Sequence, residues 1–459
     1  MSNQLPPGPR DGFFGLRTMA RMKADVLGTM SQLHEQYGDA VSFPIANQRL
    51  FLFFHPDAVR EVLVAQARSF VRDPRVMRVF AQWNGPSMLI TEGAAWLRQR
   101  RLVQPAFQSR RFETYAHTMV SATERLVESW NAQVDRAGHH DVEIDQAMTD
   151  LTLNIICRAM FDTDVSQTSG DIARAVATLS EVAFHEMQSP WIMPNWWPSR
   201  FIRQKRWAMQ VLDETIWRIV RERRADGRDH GDLLSMLLAA VDEEGDGGRL
   251  DDRQVRNEMM TLMLAGHDTT AAALDWVWYN LARHPACIAK CHAEIDAIIG
   301  DRAATAADVP QLHYIEAVVK ESLRLYPPAI GVFLRQPTTD VTIGGYRVPR
   351  GSLVSLSSYV TQRDSRWFER ADQFEPERFL SPQCDELPTY AYFPFGAGPR
   401  VCVGQSFAMT EMVLVVATIL RRLNVQLAPG QGPAELQVHA SLRPRDGVRL
   451  RWTRHITAR

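Results

Sequence analysis

A single helical stretch constrains this chain more than anything else in it. From 251 to 284 helical periodicity runs unbroken up to Pro285, and apolar side chains occur around much of the circumference. A helix that is apolar on most sides must cross a protein interior, so the fold has to be built around it. Its middle reads Ala265-Gly266-His267-Asp268-Thr269-Thr270, which sets a glycine and several polar side chains where packing favours Leu or Ala. Thr269 can donate to the carbonyl of Ala265 four residues earlier, which loosens the helix and leaves room for water or a small ligand. A satisfied polar kink explains the same residues, and the helix alone does not choose between the two.

Around this helix the pattern predicts further helices over 58–63, 96–107, 122–134, 209–224, 233–241 and 286–299. Strand signals are few: 40–54 and 341–348, the second turning at Gly344-Gly345, read as hairpins. The acidic, glycine-containing stretch 242–252 reads as a solvated loop. The expected class is mainly α with a minor β region (α+β), as one domain over 1–459 without internal repeats. Length alone would suggest more domains, but single large folds of this size exist.

With 45% hydrophobic residues and 52 Lys+Arg against 53 Asp+Glu, the chain is neither disordered nor built to bind nucleic acid. The Pro-rich segment 1–10 has no apolar h-region before it, so secretion is not expected. The apolar run 412–420 is far short of the roughly 20 residues that a membrane span needs, and reads as a buried helix. Five cysteines, at 157, 287, 291, 384 and 402, form no CxxC pair, which points to a reducing, cytoplasmic setting. Cys287 and Cys291, one turn apart beside His292, read as two exposed thiols, since a closed metal site needs more ligands than are near.

The sharpest local signal is Phe393-Pro394-Phe395-Gly396-Ala397-Gly398-Pro399-Arg400-Val401-Cys402-Val403-Gly404, followed by a helix from about 405 to 420. Glycines at 396, 398 and 404 let backbone approach a large planar group, and a cysteine at a helix N-terminus is favoured as the thiolate. Such a thiolate is a nucleophile or a metal ligand. The nucleophile wants a base and a zinc site wants partner ligands at short spacing, and the neighbourhood offers neither. One axial thiolate on a haem iron needs no protein partner, while a buried structural cysteine in a tight turn is the bland account.

The pattern Phe395-x-x-Gly398-x-Arg400-x-Cys402-x-Gly404 resembles the haem-binding loop of the cytochrome P450 family. Ala265-Gly266-x-Asp268-Thr269-Thr270, Glu321-x-x-Arg324 and Pro376-Glu377-Arg378-Phe379 precede it in that family's order. Trp96-x-x-x-Arg100 and the proline-rich start also look like family features. The resemblance implies that haem b lies between the long central helix and the Cys loop with its helix, with the Cys402 thiolate as axial iron ligand. Asp268 and Thr269 then look like the acid–alcohol pair that delivers protons to bound dioxygen, the co-substrate. Ala265, Phe395 and Gly404 adjoin the haem in relatives, and Trp96, Arg100, Arg335 and Arg400 occupy positions that hold its propionates. Glu321, Arg324 and Arg378 resemble the family's buried ion-pair triad.

The implied activity is insertion of one oxygen atom from dioxygen into a C–H or C=C bond of a hydrophobic small molecule of the fatty acid, terpenoid or steroid class. Two electrons would come ultimately from NAD(P)H through a separate ferredoxin or flavodoxin and its reductase, because no flavin or iron–sulfur module is encoded. Arg98, Arg101, Arg110 and Arg111 could steer such a donor, though a solvated basic helix explains the same run. A monomer is expected. Phe80, Trp83, Met263, Ala265, Ile330, Val332 and Phe333 are candidates to line the substrate pocket. Phe184, Trp191, Trp196 and Trp197 among Pro190, Pro194 and Pro198 read as plain aromatic packing or as a lid. A haem sensor or electron carrier has no use for the acid–alcohol pair, and a peroxygenase or isomerase would lack it.

Overall fold

The computed structural model describes residues 5–10, 15–45, 47–107, 112–162, 169–189 and 191–455. They divide into two compact units, one from Met1–Val79, Leu323–Phe374 and Ser381–Cys402, the other from Phe80–Ser322, Glu375–Leu380 and Val403–Arg459.

The first unit holds most of the β structure. Ala40–Ile45 and Gln48–Phe53 form the expected hairpin, with Ala40 opposite Phe53. They continue into a five-stranded sheet through Leu353–Leu356, Arg335–Pro337 and Phe70–Arg72, in that order. The second expected hairpin pairs Val341–Ile343 with Tyr346–Val348, and Gly344 and Gly345 both adopt positive φ at its turn. Phe51, Phe53, Val59, Val62, Ile343, Val354 and Leu356 form a core that also takes in Phe393 and Ala397. The start of the cysteine loop is therefore anchored by burial of its own apolar residues.

The second unit is helical. The long helix spans Asp252–Arg283 and begins with a capping box in which Asp251 and Gln254 satisfy each other's backbone N–H groups. His284 and Pro285 end it, since a proline cannot continue the hydrogen-bond ladder. It packs against Ile144–Phe161 and Arg200–Asp226, and Trp276 donates to the Leu442 carbonyl at 2.9 Å. Ile144–Phe161 is mostly buried and keeps one less buried stripe, where Gln146, Asp150, Asn154 and Arg158 recur every four residues. Gln405–Leu420 is the buried helix expected from the short apolar run. A three-stranded sheet of His140–Glu143, Arg449–Arg454 and Leu423–Leu427 completes this unit with the ribbon Leu436–Val438 and Leu442–Pro444.

Two expectations are corrected here. Cys287 and Cys291 are buried, at 8% and 0% exposure, because with Ile288, His292 and Ile295 they form the inward face of Pro285–Ile298. Burial pushes both thiols up, that of Cys291 far above its ordinary value. The stretch after Val241 is not simply solvated either. Val241 bridges to Arg249, and the carboxylate of Asp242 is enclosed.

Candidate functional site

The long helix is buried nearly throughout, yet Ala265 and Thr269 are exposed at its middle, one turn apart on the same face. Thr269 donates to the Ala265 carbonyl at 2.7 Å and Thr270 to that of Gly266 at 2.9 Å. The sequence predicts the Thr269 bond, and the helix runs on without a break through both. A Cβ on Gly266 would stand 3.2 Å from Ile156, so a small residue is needed where this segment meets the neighbouring helix. Met263, two residues before the notch, is fully buried and presents no accessible surface.

Asp268 is held by a residue that no local pattern could reveal. Arg443 donates from Nη2 to Asp268 Oδ1 at 3.0 Å and to the Asp268 carbonyl at 3.1 Å. The other terminal nitrogen donates to Asp145 and, at 3.1 Å, to Asp275 Oδ2. Burial presses the Asp268 carboxyl upward, but the Arg443 charge and then His267 outweigh it, so Asp268 stays below the usual carboxylate range. Asp275 goes the other way. It is fully enclosed, and burial raises it well above an ordinary aspartate despite the attraction of Arg443. His267 is also enclosed, with both ring nitrogens unpartnered among the described residues, and burial pushes it down to about 4. One guanidinium thus organises three carboxyl groups beside the exposed notch.

In the first unit the cysteine loop is shaped by close contact. Gly396 and Gly398 take positive φ, and a Cβ on Gly398 would lie 1.9 Å from the Leu63 carbonyl oxygen. The Cys402 N–H donates to the Phe395 carbonyl at 3.0 Å, which closes the loop and leaves the Cys402 side chain exposed. Cys402 stands two residues before Gly404, the N-cap of Gln405–Leu420. Arg400 ends a short turn, Gly398–Arg400. Arg335 is buried on its sheet strand and donates to the Phe333 carbonyl at 2.8 Å. Trp96 and Arg100 lie one turn apart on Gly93–Val103, both partly exposed, and Arg100 donates to Gln104 at 3.2 Å.

The three residues of the expected triad are all engaged. Glu321 is fully buried and accepts the Glu375 N–H at 2.9 Å and Arg378 Nε at 3.0 Å. Arg324 donates to the carbonyls of Gln362, Ala371 and Gln373 at 2.8, 2.7 and 3.1 Å.

The pocket candidates belong partly to the first unit and partly to the second. Phe80 and Trp83 sit on Pro74–Asn84 with their rings edge to face at 6.0 Å, and Trp83 is buried. Val332 is half-buried against the first unit's core, and the Ile330 carbonyl accepts from Tyr359 N–H and Ser357 Oγ. Phe333 is exposed. Two members of the expected basic run are already committed: Arg98 pairs with Asp246 at 2.9 Å and Arg101 grips Asp242. Their charges stabilise the 242–249 turn instead of standing free for a partner. Arg110 and Arg111 lie outside the described residues.

The comparisons with known proteins agree with this geometry. The family model described as Cytochrome P450 matches residues 6–450. Cyclooctatin synthase of Streptomyces melanosporofaciens is 36% identical over 396 residues, covering 86% of this chain and 84% of the relative. Cyclooctat-9-en-7-ol 5-monooxygenase of the same organism is 33% identical over 405 residues, with the same coverage. The crystal structure of the cytochrome P450DA heme domain matches with a TM-score of 0.88 at 26% identity, over 99% of this chain and 98% of that one.

Proposed function

This chain belongs to the cytochrome P450 family and is a monooxygenase of that family, and from that premise we propose that it binds haem b through Cys402 and places one atom of dioxygen into a C–H or C=C bond of a hydrophobic small molecule. The residues fit the group. Cys402 lies exposed on a loop where Gly398 leaves no room for a side chain, and Ala265 and Thr269 are the exposed residues in the middle of a mostly buried helix. Trp96, Arg100, Arg335 and Arg400 supply the N–H donors that propionates require. The haem supplies the oxidising chemistry, and its thiolate ligand favours O–O cleavage.

The observation that carries the proposal is the exposed hydroxyl of Thr269 beside a carboxylate that Arg443 keeps ionised. Thr269 and Asp268 hold the proton path: the hydroxyl can pass a proton on, and the carboxylate can replace it from water. An electron carrier would need neither group. Electrons come from NAD(P)H through a separate ferredoxin or flavodoxin and its reductase, to a protein that acts as a monomer. Among the described residues no helix is long and apolar enough to cross a membrane.

For the substrate we favour a terpenoid-like cyclic alcohol over a fatty acid or steroid, because the relative named above oxygenates cyclooctat-9-en-7-ol. The test is turnover with a ferredoxin and its reductase under ¹⁸O₂ against panels of cyclic terpene alcohols, fatty acids and steroids. One labelled oxygen in the product is expected from the first panel. Product without label, or turnover without electron donors, overturns the reaction, and label only in the other panels overturns the substrate class.

A further inference from the structure

Arg443 is shared unevenly. Its Nη2 is committed to Asp268, at 3.0 Å to Oδ1 and 3.1 Å to the backbone carbonyl, while Nη1 serves two other carboxyl groups, Asp145 and, at 3.1 Å, Asp275. The three acids differ in their access to water: the Asp145 side chain is 38% exposed, that of Asp268 17%, and that of Asp275 not at all. Asp275 shares the long helix with Asp268, whereas Asp145 comes from the first turn of Ile144–Phe161, a separate element.

The proton path requires Asp268 to take a proton from water, and a carboxylate bound to a guanidinium resists that. Asp268 therefore has to loosen its hold on Arg443. A guanidinium left without a carboxylate in an enclosed site is costly, so the release needs another anion already in place. Asp275 cannot serve, because burial raises its carboxyl well above the ordinary aspartate range and it stays neutral. Asp145 can serve, since it reaches water and already holds the other terminal nitrogen of the same guanidinium. An aspartate in the first turn of a helix also suits the helix dipole, but that accounts for its place in the chain and not for its contact with Arg443.

We propose that Asp145 is a positioning residue for proton delivery: it keeps hold of Arg443 while Asp268 gives up the guanidinium and accepts a proton from water. One proton moves from water to the Asp268 carboxylate, which refills the Thr269 hydroxyl as that hydroxyl passes its own proton on, and no electron moves. This rests on the oxygenase reading above. The charged and titratable groups around Asp268 are Arg443 on Leu442–Pro444, His267 and Asp275 on the long helix, and Asp145 on Ile144–Phe161. Removing the Asp145 carboxylate leaves Arg443 more fully to Asp268, which then protonates at lower pH.

The test compares Asp145→Asn with the wild type as full-length, haem-loaded protein. Infrared titration of the carboxyl groups, with Asp268→Asn identifying the Asp268 band, is expected to show Asp268 protonating about one pH unit lower in Asp145→Asn. Turnover with a ferredoxin and its reductase, on the cyclic terpene alcohol that the wild type oxygenates, should fall about 10-fold in kcat, as that change dictates. The solvent isotope effect should rise while KM stays within about twofold. Asp145→Glu should recover most of the rate, and Asp145→Ser, which keeps a hydrogen-bonding group in the first turn of the helix, should behave as the asparagine variant does. A purely structural role would lower the melting temperature and leave the Asp268 midpoint and the isotope effect at their wild-type values. That result, or an Asp268 midpoint that rises, overturns the proposal. If the wild type oxygenates nothing, the oxygenase reading fails, and the infrared midpoint still decides whether Asp145 governs Asp268.

Discussion

Asp275 Oδ2 lies 3.1 Å from Arg443 Nη1, but Asp275 is the fully enclosed member of three carboxyl groups sharing that one guanidinium. Burial raises it well above an ordinary aspartate, with Asp145 and Asp268 repelling any charge on it. An acid whose folded pKa is raised contributes stability that is present below its unfolded value of about 3.9 and is lost as pH rises from there. Asp275→Asn should therefore match the wild type at pH 4 and be at least as stable at pH 7. Arg443→Met leaves Asp145 and Asp268 without their cation and should cost about 3–5 kcal/mol. Denaturant unfolding at both pH values distinguishes these outcomes, and an asparagine variant that is weaker at pH 7 would refute the assignment of a neutral Asp275.

Glu258 gives a second pH dependence of the same sign. It is fully buried on the long helix, one oxygen accepts the Met88 N–H at 2.8 Å, and the other has no partner among the described residues. Burial pushes its carboxyl up to about 8. The unfolded chain releases this proton near pH 4.3 while the folded chain keeps it, so stability is lost between about pH 4.3 and 8, by about 5 kcal/mol. Glu258→Gln keeps an acceptor for Met88 and removes the titration. Its melting temperature should exceed the wild-type value at pH 8 and equal it at pH 4, and a constant difference across that range would contradict this account.

These two sites show where the sequence stops being informative. Cys402 and its glycines lie within nine residues, and Ala265 to Thr270 within six, so their chemistry is visible as a local pattern. Arg443 is 175 residues from Asp268, and only the packing of the Leu442–Pro444 strand brings them together. The three-residue strands Phe70–Arg72 and Arg335–Pro337 pair across a still longer separation and leave no alternation to read. Polarity misjudged Cys287 and Cys291, because burial there depends on which helical face meets the core. An aromatic run likewise reads the same whether packed or open, and only coordinates reveal that Trp191 and Trp196 are exposed.

Cys402→Ser exchanges the exposed thiol for a hydroxyl that is a far weaker iron ligand at neutral pH. The dithionite-reduced protein under carbon monoxide should show a thiolate-type Soret band in the wild type and lose it in the variant. Circular dichroism should stay unchanged, since the Cys402 N–H that closes the loop onto the Phe395 carbonyl is kept. An identical carbon monoxide spectrum in the variant would remove Cys402 as the ligand.

Glu321→Ala removes the carboxylate that Arg378 Nε meets at 3.0 Å and that accepts the Glu375 N–H at 2.9 Å in a buried site. The expected cost is about 3–5 kcal/mol, seen as lower haem content per polypeptide and an earlier unfolding midpoint. Glu321→Gln keeps an acceptor for the N–H and should fall between the two. Normal haem content and stability in the alanine variant would show that this pair does not support the fold.

Asp268→Asn separates the proton path from substrate binding. The Asp268 side chain adjoins Thr269 in sequence and is bonded to Arg443, and neither contact involves the accessible wall at Ala265. An amide keeps the shape but cannot exchange a proton at neutral pH, so oxygenation should slow about 10²-fold. Substrate affinity, read from the spectral change on binding, should shift by less than about twofold, because uniform binding is untouched. Dioxygen consumption should exceed product formation, and the solvent isotope effect should rise as proton delivery becomes limiting. Thr269→Ala, which removes the hydroxyl bonded to the Ala265 carbonyl, should lower coupling in the same way while leaving the Asp268–Arg443 pair intact. If Asp268→Asn instead loses affinity and rate together with coupling preserved, the carboxylate shapes the pocket and does not carry protons.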